Sequence, residues 1–125
     1  MEVRRIDCPK AMVEGVAFGP DGRTALSAHA DKTVRLYHLE TCKELRRFTG
    51  HTAKVDSVTL SPDGRRVLSC GEDHTIRLWD LASGRELFVF EGHRDKVRCT
   101  VFSGDGRQCL SGSYDRTLKL WGLPK

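Results

Sequence analysis

The chain repeats itself every 42 residues, three times over, without a single insertion or deletion. Asp21, Asp63 and Asp105 fall on this step, as do Asp31, Asp73 and Asp115, and Tyr37, Trp79 and Trp121; the same step carries His51 onto His93. The units read VAFGPDGRTALSAHADKTVRLYHLETCKELRRF, VTLSPDGRRVLSCGEDHTIRLWDLASGRELFVF and TVFSGDGRQCLSGSYDRTLKLWGL. A period in the low forties is the signature of stacked units, a propeller or a solenoid, so the repeat constrains the fold before any motif is interpreted.

Each unit reads as β throughout. In SPDGR (residues 61–65) proline presets φ, aspartate tolerates the turn and glycine supplies φ > 0, which suits a tight hairpin. RRVLSC is of strand length, EDHT turns again, and TIRLWDL follows with Ile76 and Leu78 on one face and Arg77 and Trp79 on the other. LASGR makes a third turn, with Gly84 available for a left-handed position, before RELFVF closes the unit. No segment sustains ten residues of helical periodicity, and turn signals return every 8 to 12 residues. The fold class expected is all-β.

The GH pairs at Gly50–His51 and Gly92–His93, together with SPDG, SCGED, SGSYD, and LWD at residues 78–80, resemble the WD-repeat family of β-propellers. His51 to Asp73 and His93 to Asp115 both span 22 residues, and each Trp lies six residues after its Asp. A lone GH or WD would be weak; the joint pattern at a fixed period is specific. The resemblance implies blades of four antiparallel strands, with each sequence unit starting on the outer strand of one blade and continuing into the next. It also implies two buried tetrads, His51, Ser69, Asp73 and Trp79, then His93, Ser111, Asp115 and Trp121, linked Trp to Ser to His to Asp. Buried indole, imidazole and carboxylate groups each cost free energy unless paired, and a linked chain pairs all three. Repeat one keeps Ser27 and Asp31 but has Cys8 and Pro9 for GH and Tyr37 for Trp, so its tetrad is expected to be partial and its blade to open first.

By this reading residues 1–9 are an outer strand of a preceding or closing blade, 10–50 are repeat one, 51–92 repeat two, and 93–125 repeat three without its outer strand. EVRRI, at residues 2–6, sits 42 residues before ELRRF. Propellers of this kind use about 4 to 8 blades, so three cannot close a ring. A piece of a longer propeller, a self-assembled six-bladed ring and an open arc all remain open at this point.

The function expected is a non-catalytic protein-interaction scaffold, alternatively a regulatory propeller segment of a larger multidomain and even enzymatic protein. Family members bind through top-face loops, which here implies other proteins or peptides as partners of Met12, Glu14, Lys54, Asp56, Glu72, Lys96, Arg98 and Tyr114, with Ala30 in the same loop set. Tyr114 and Arg98 are the strongest anchors by residue type; the competing reading makes all of these ordinary solvated side chains. Nucleic acid is disfavoured, because the net charge of +4 is spread over interleaved acids and bases with no run of five like charges. No apolar run approaches membrane-spanning length and the N-terminus has no apolar signal core, so the expected location is cytoplasmic, with no membrane contact. Five cysteines without a C-x-x-C pair fit neither a disulfide framework nor a zinc cage, and neither metal nor cofactor is expected. H-E-x-x-H, G-x-S-x-G and P-loop spacings do not occur, and Cys70 aligns with Ala28 and Gly112, as a small packing residue would.

Overall fold

In the computed structural model, which describes residues 1–8 and 11–125, turns of fixed chemistry cut the chain into short strands. These are β1 (Val13–Phe18), β2 (Thr24–His29), β3 (Thr33–His38), β4 (Glu44–Thr49), β5 (Val55–Leu60), β6 (Arg66–Gly71), β7 (Ile76–Asp80), β8 (Glu86–Phe90), β9 (Val97–Phe102), β10 (Gln108–Ser113) and β11 (Leu118–Gly122). They form three antiparallel sheets in the orders β1-β2-β3-β4, β5-β6-β7-β8 and β9-β10-β11, which we call blades 1, 2 and 3. Pairing only with sequence neighbours keeps every connection a hairpin, the natural outcome when turn signals recur this often.

The β5–β6 turn shows how the sequence enforces this. Ser61 donates its hydroxyl to Asp63 (2.5 Å), Asp63 accepts the Arg65 N–H (3.0 Å), and Ser61 Oγ accepts the Arg66 N–H (2.9 Å). Gly64 completes the turn at φ 74°, a conformation open to glycine without a Cβ penalty. Ser103, Asp105 and Gly106 repeat the arrangement in blade 3. Blade 1 departs from it: Gly19 replaces the serine, Pro20–Gly22 forms a 3-10 turn, and Asp21 is driven to φ 59°. Thr24 Oγ1 has moved into the vacated volume, 1.7 Å from where a Cβ on residue 19 would stand.

The core is made of blade-to-blade contacts. Leu26, Ala28, Val34, Leu36 and Phe48 of blade 1 pack on Val55, Val58, Val67 and Trp79 of blade 2. Leu68, Cys70, Ile76, Leu78 and Phe90 of blade 2 pack on Val97 and Cys109 of blade 3, with Phe102 and Trp121 partly covered. Trp79 is buried together with Ile76 and Leu78, because the middle blade has a neighbour on each face. Three blades form an arc and not a ring.

Residues 2–6 form no strand and belong to no sheet here, as a strand exists only against a partner edge.

Candidate functional site

Each blade end is built on a polar anchor. In blade 2, Trp79 Nε1–H donates to Ser69 Oγ (2.8 Å), the Ser69 hydroxyl meets His51 Nε2 (2.7 Å), and His51 Nδ1–H donates to Asp73 Oδ2 (2.8 Å). The order follows from the atoms: indole only donates, carboxylate only accepts, and the hydroxyl and imidazole between them each do one of both. Asp73 further accepts the backbone N–H of Thr52 (3.0 Å) and of Thr75 (3.0 Å) and the Thr75 hydroxyl (2.7 Å). Burial alone would push its carboxyl upward, but the bonds from His51, Thr75 and Thr52 outweigh this and hold it well below the usual carboxylate range. Blade 3 repeats the chain through Trp121, Ser111, His93 and Asp115 at 2.8, 2.7 and 2.8 Å.

Blade 1 is wired differently, and the expected trio of Ser27, Asp31 and Tyr37 does not form one chain. Pro9, at the position of His51, lies outside the described residues. His29 takes the role at Ser27: its Nε2 meets the Ser27 hydroxyl at 2.6 Å, and the ring is fully buried. Ser27 and His29 are two apart on β2 and therefore share a face. Asp31 instead holds Thr33 Oγ1 (2.6 Å) and Arg35, and Tyr37 contacts Arg35 (3.4 Å) and Cys8 Sγ (3.7 Å). His29 Nδ1 has no hydrogen-bond partner among the described residues. Burial and the nearby Arg35 charge lower the ring's affinity for a proton; the Ala11 backbone favours the protonated ring without closing a bond.

His29 does not fall on the 42-residue step that relates His51 to His93, so the repeat spacing does not mark it. The available signal was size: His29 stands where the other units have Gly71 and Ser113. A Cβ on Gly71 would come within 2.2 Å of the Lys54 carbonyl, so a ring at this slot requires a different approach of the chain entering the blade.

Above these anchors the structure gathers the predicted binding residues by a repeated backbone clamp. The N–H groups of Ala30, Glu72 and Tyr114 donate to the carbonyls of Met12, Lys54 and Lys96 at 2.9, 2.8 and 3.0 Å. The innermost strand of each blade then bulges by one residue: Glu14, Asp56 and Arg98 have no cross-strand partner in the register. A bulge re-aims the extra side chain, and here it turns all three toward the neighbouring blade. Glu14 pairs with Lys54 (3.2 Å), Asp56 with Arg98 (3.9 Å) and Glu72 with Lys96 (3.4 Å), each acid in one blade and each base in the next. Such surface pairs contribute little stability singly, about 0 to 1 kcal/mol; their effect is to order the face.

Asp56 differs from the others. Its side chain is 7% exposed, and Oδ2 has no hydrogen bond although Arg98 lies nearby. Burial, reinforced by the Glu72 charge and opposed by Arg98, raises its carboxyl above the ordinary value. Arg98 also donates to the Tyr114 hydroxyl (2.6 Å) with its guanidinium carbon 5.2 Å from the ring centroid, so arginine and tyrosine form one rigid, exposed element. Met12, just before β1 in blade 1, is exposed.

Cys70 and Cys109 are buried in the contact between blades 2 and 3, whereas Cys99 is exposed. Burial pushes the Cys70 thiol far upward and Cys109 up to about 11, the opposite of what an attacking thiolate needs. Among the described residues no group of three or more His, Cys, Asp or Glu side chains is placed to hold a metal ion, and no helix is long and apolar enough to cross a membrane.

The family model for WD domain, G-beta repeat matches the chain three times, over residues 2–38, 42–80 and 84–122. No curated protein matches the chain significantly.

Proposed function

Because the chain belongs to the WD domain, G-beta repeat family, whose repeats generally mediate protein–protein interaction, we propose that it is a non-catalytic scaffold binding a protein or peptide across the face of Met12, Glu14, Lys54, Asp56, Glu72, Lys96, Arg98 and Tyr114. The observation that carries this reading is the stacked Arg98–Tyr114 pair, half exposed and preordered beside a buried carboxylate. Tyrosine and arginine lose little freedom when already packed, which is how binding hot spots arise. The alternating acids and bases of the face would favour a partner segment of mixed charge, held in register by pairing rather than by net attraction. Five free cysteines support a reducing, cytoplasmic setting.

A displayed library of random peptides tests the reading. Peptides selected on the native chain should lose at least tenfold in affinity on the double variant Arg98→Ala/Tyr114→Ala, and should bind Arg65→Ala, at the opposite end of blade 2, unchanged. Equal binding to all three proteins would remove this face from the function.

A further inference from the structure

At the end of the blades opposite Arg98 and Tyr114, blades 1 and 2 enclose a groove of about 450 Å³. Its walls are the β1–β2 turn, the end of β3, the start of β4 and the β7–β8 turn. Both walls come from consecutive blades, so the groove is internal to the arc and not one of its ends. The floor is apolar, made by Pro20, Leu36, Leu45, Leu81 and Ala82. Leu45 owes its place to a bulge: Leu36 faces Arg46 and Tyr37 faces Glu44, which leaves Leu45 without a cross-strand partner. The bulge re-aims the side chain, and the leucine stands 52% exposed.

The polar rim is basic, formed by Arg23, His38 and Arg46. Arg46 is held in place: its Nη1 donates to the Ser83 carbonyl (2.9 Å), and its Cδ lies 3.0 Å from where a Cβ on Gly84 would stand. His38 Nδ1 accepts the Thr41 N–H (3.3 Å), which leaves the proton of the neutral ring on Nε2, able to donate. Among the described residues no acid lines the groove. Asp80 stands close enough for its carboxylate to feel Arg46, but it is engaged by the Ser83 N–H (2.9 Å) and hydroxyl (2.6 Å).

One repeat further on, the cleft between blades 2 and 3 has the same backbone and different chemistry. Asp80 stands there for His38, Phe88 for Arg46 and Arg66 for Thr24. Asp63 and Asp80 interleave with Arg65 and Arg66, so the cleft balances its own charge. Arg66 also straps it by donating to the Pro124 (2.6 Å) and Gly106 (3.2 Å) carbonyls. Thr24 is too short to make such a strap, and the groove between blades 1 and 2 stays open, apolar below and cationic above. A patch of this kind rimmed by one sign of charge marks an interaction site.

We propose that this groove is a second docking site, separate from the face of Arg98 and Tyr114, and that it takes an extended peptide segment in which one leucine-sized apolar side chain is flanked by aspartate or glutamate. The apolar side chain covers Leu45 and Leu81, and the flanking carboxylates meet Arg23 and the outer nitrogens of Arg46, a pairing that arginine makes with directional strength. A bare polyanion would satisfy the arginines but leave the leucines in water.

The probe is a displayed peptide library with leucine, methionine or phenylalanine fixed between aspartate and glutamate positions, followed by titration of the labelled winners. Binding should weaken as salt is raised. Leu45→Glu and Arg23→Glu, both at exposed positions, should each weaken it about tenfold or more, as hot-spot losses do, with unchanged far-ultraviolet circular dichroism. Replacing the peptide acids with lysine should abolish binding to the native chain and restore it on Arg23→Glu. Leu87→Glu, the equivalent change in the cleft between blades 2 and 3, and Arg98→Ala/Tyr114→Ala should leave it as it was. A library that yields no binder overturns the proposal, as do winners indifferent to Leu45→Glu and Arg23→Glu. Winners lost on Arg98→Ala/Tyr114→Ala belong to the other face and equally refute the groove. So does a solution mass above 14.0 kDa that falls to one chain on Leu45→Glu, which would make a second copy the occupant.

Discussion

Blades 1 and 2 share strand order and register, yet only blade 2 joins its buried polar groups into one continuous chain of hydrogen bonds. In blade 2 the indole, hydroxyl, imidazole and carboxylate are all paired, and the carboxylate also pins Thr52 of the incoming loop. Blade 1 has two disconnected pieces, Ser27 with His29 and Asp31 with Arg35, and one imidazole nitrogen has no partner among the described residues. The difference teaches that a repeat can keep its backbone after losing its anchor, provided that some other side chain fills the space and satisfies the hydroxyl. It also says that the substitute is the weaker device, because a partly satisfied buried network forfeits the mutual reinforcement of a complete one.

The largest expected effect breaks this comparison at the two histidines. His51→Ala strands Ser69 and Asp73 at once and should cost about 3 kcal/mol in urea unfolding, the upper end for a severed buried hydrogen-bond partner. His29→Ala breaks one bond while also removing a buried nitrogen that has no partner among the described residues, so its cost should be about half as large even with the cavity it leaves. Equal losses at fixed protein concentration would mean that blade 1 is anchored as completely as blade 2.

Acid should separate the blades next. Burial and Arg35 lower the proton affinity of His29 in the fold, while the unfolded chain takes a proton near 6.5, so the unfolded state binds more protons as pH drops. Stability from His29 is therefore whole above about pH 6.5 and is lost as pH falls from there toward the lowered folded value. Arg35 and Arg47 reinforce this and Asp31 opposes it. Asp73 is held below 3.8, so its contribution is whole above that value and is lost only as pH falls beneath it. Between pH 6.5 and 4.5 the amide protection factors, which are corrected for the intrinsic pH dependence of exchange, should fall in β1–β3 before they do in β5–β7; a synchronous fall contradicts the assignment.

A smaller effect sharpens the comparison at the turns. Importing the blade 2 residues through Gly19→Ser/Thr24→Arg should stabilise blade 1 by about 1 kcal/mol, a typical net hydrogen-bond contribution, whereas Gly19→Ser alone should destabilise it because its Cβ meets Thr24 Oγ1. A double-mutant cycle reads the sign change directly.

The smallest effect should not distinguish the blades at all. Lys32, His74 and Arg116 each follow the anchor aspartate at φ 78°, 70° and 73°, where a side chain is strained. Replacing each with glycine should change stability by the same few tenths of a kcal/mol in every blade, relief of strain being largely offset by the entropy of the unfolded glycine. Unequal thermal shifts would show that these hairpins, unlike the anchors, have diverged.

How much of this was readable in advance depended on whether a partner is fixed by spacing or by contact. The tetrad positions His51, Ser69, Asp73 and Trp79 could be named because their spacing recurs with the repeat, and the strands because apolar alternation and turn residues are local signals. His29 could not be found that way, since it sits on the strand and not in the loop where its counterparts lie. The bulges at Glu14, Asp56 and Arg98 were equally hidden: one unpaired residue leaves the alternation of a six-residue strand almost intact in the sequence, yet in space it swings the side chain toward the next blade.

The sequence by itself determined the period, the all-β hairpin architecture and the positions where polar anchors can form, because these depend on residues a fixed number of bonds apart. Only the tertiary structure decided which imidazole serves blade 1, which charges meet across blades, that Asp56 is buried without a full partner, and that residues 2–6 are left without an edge. Those outcomes rest on distances between chain segments brought together by packing, and hydrogen bonding, burial and charge pairing answer to distance in space.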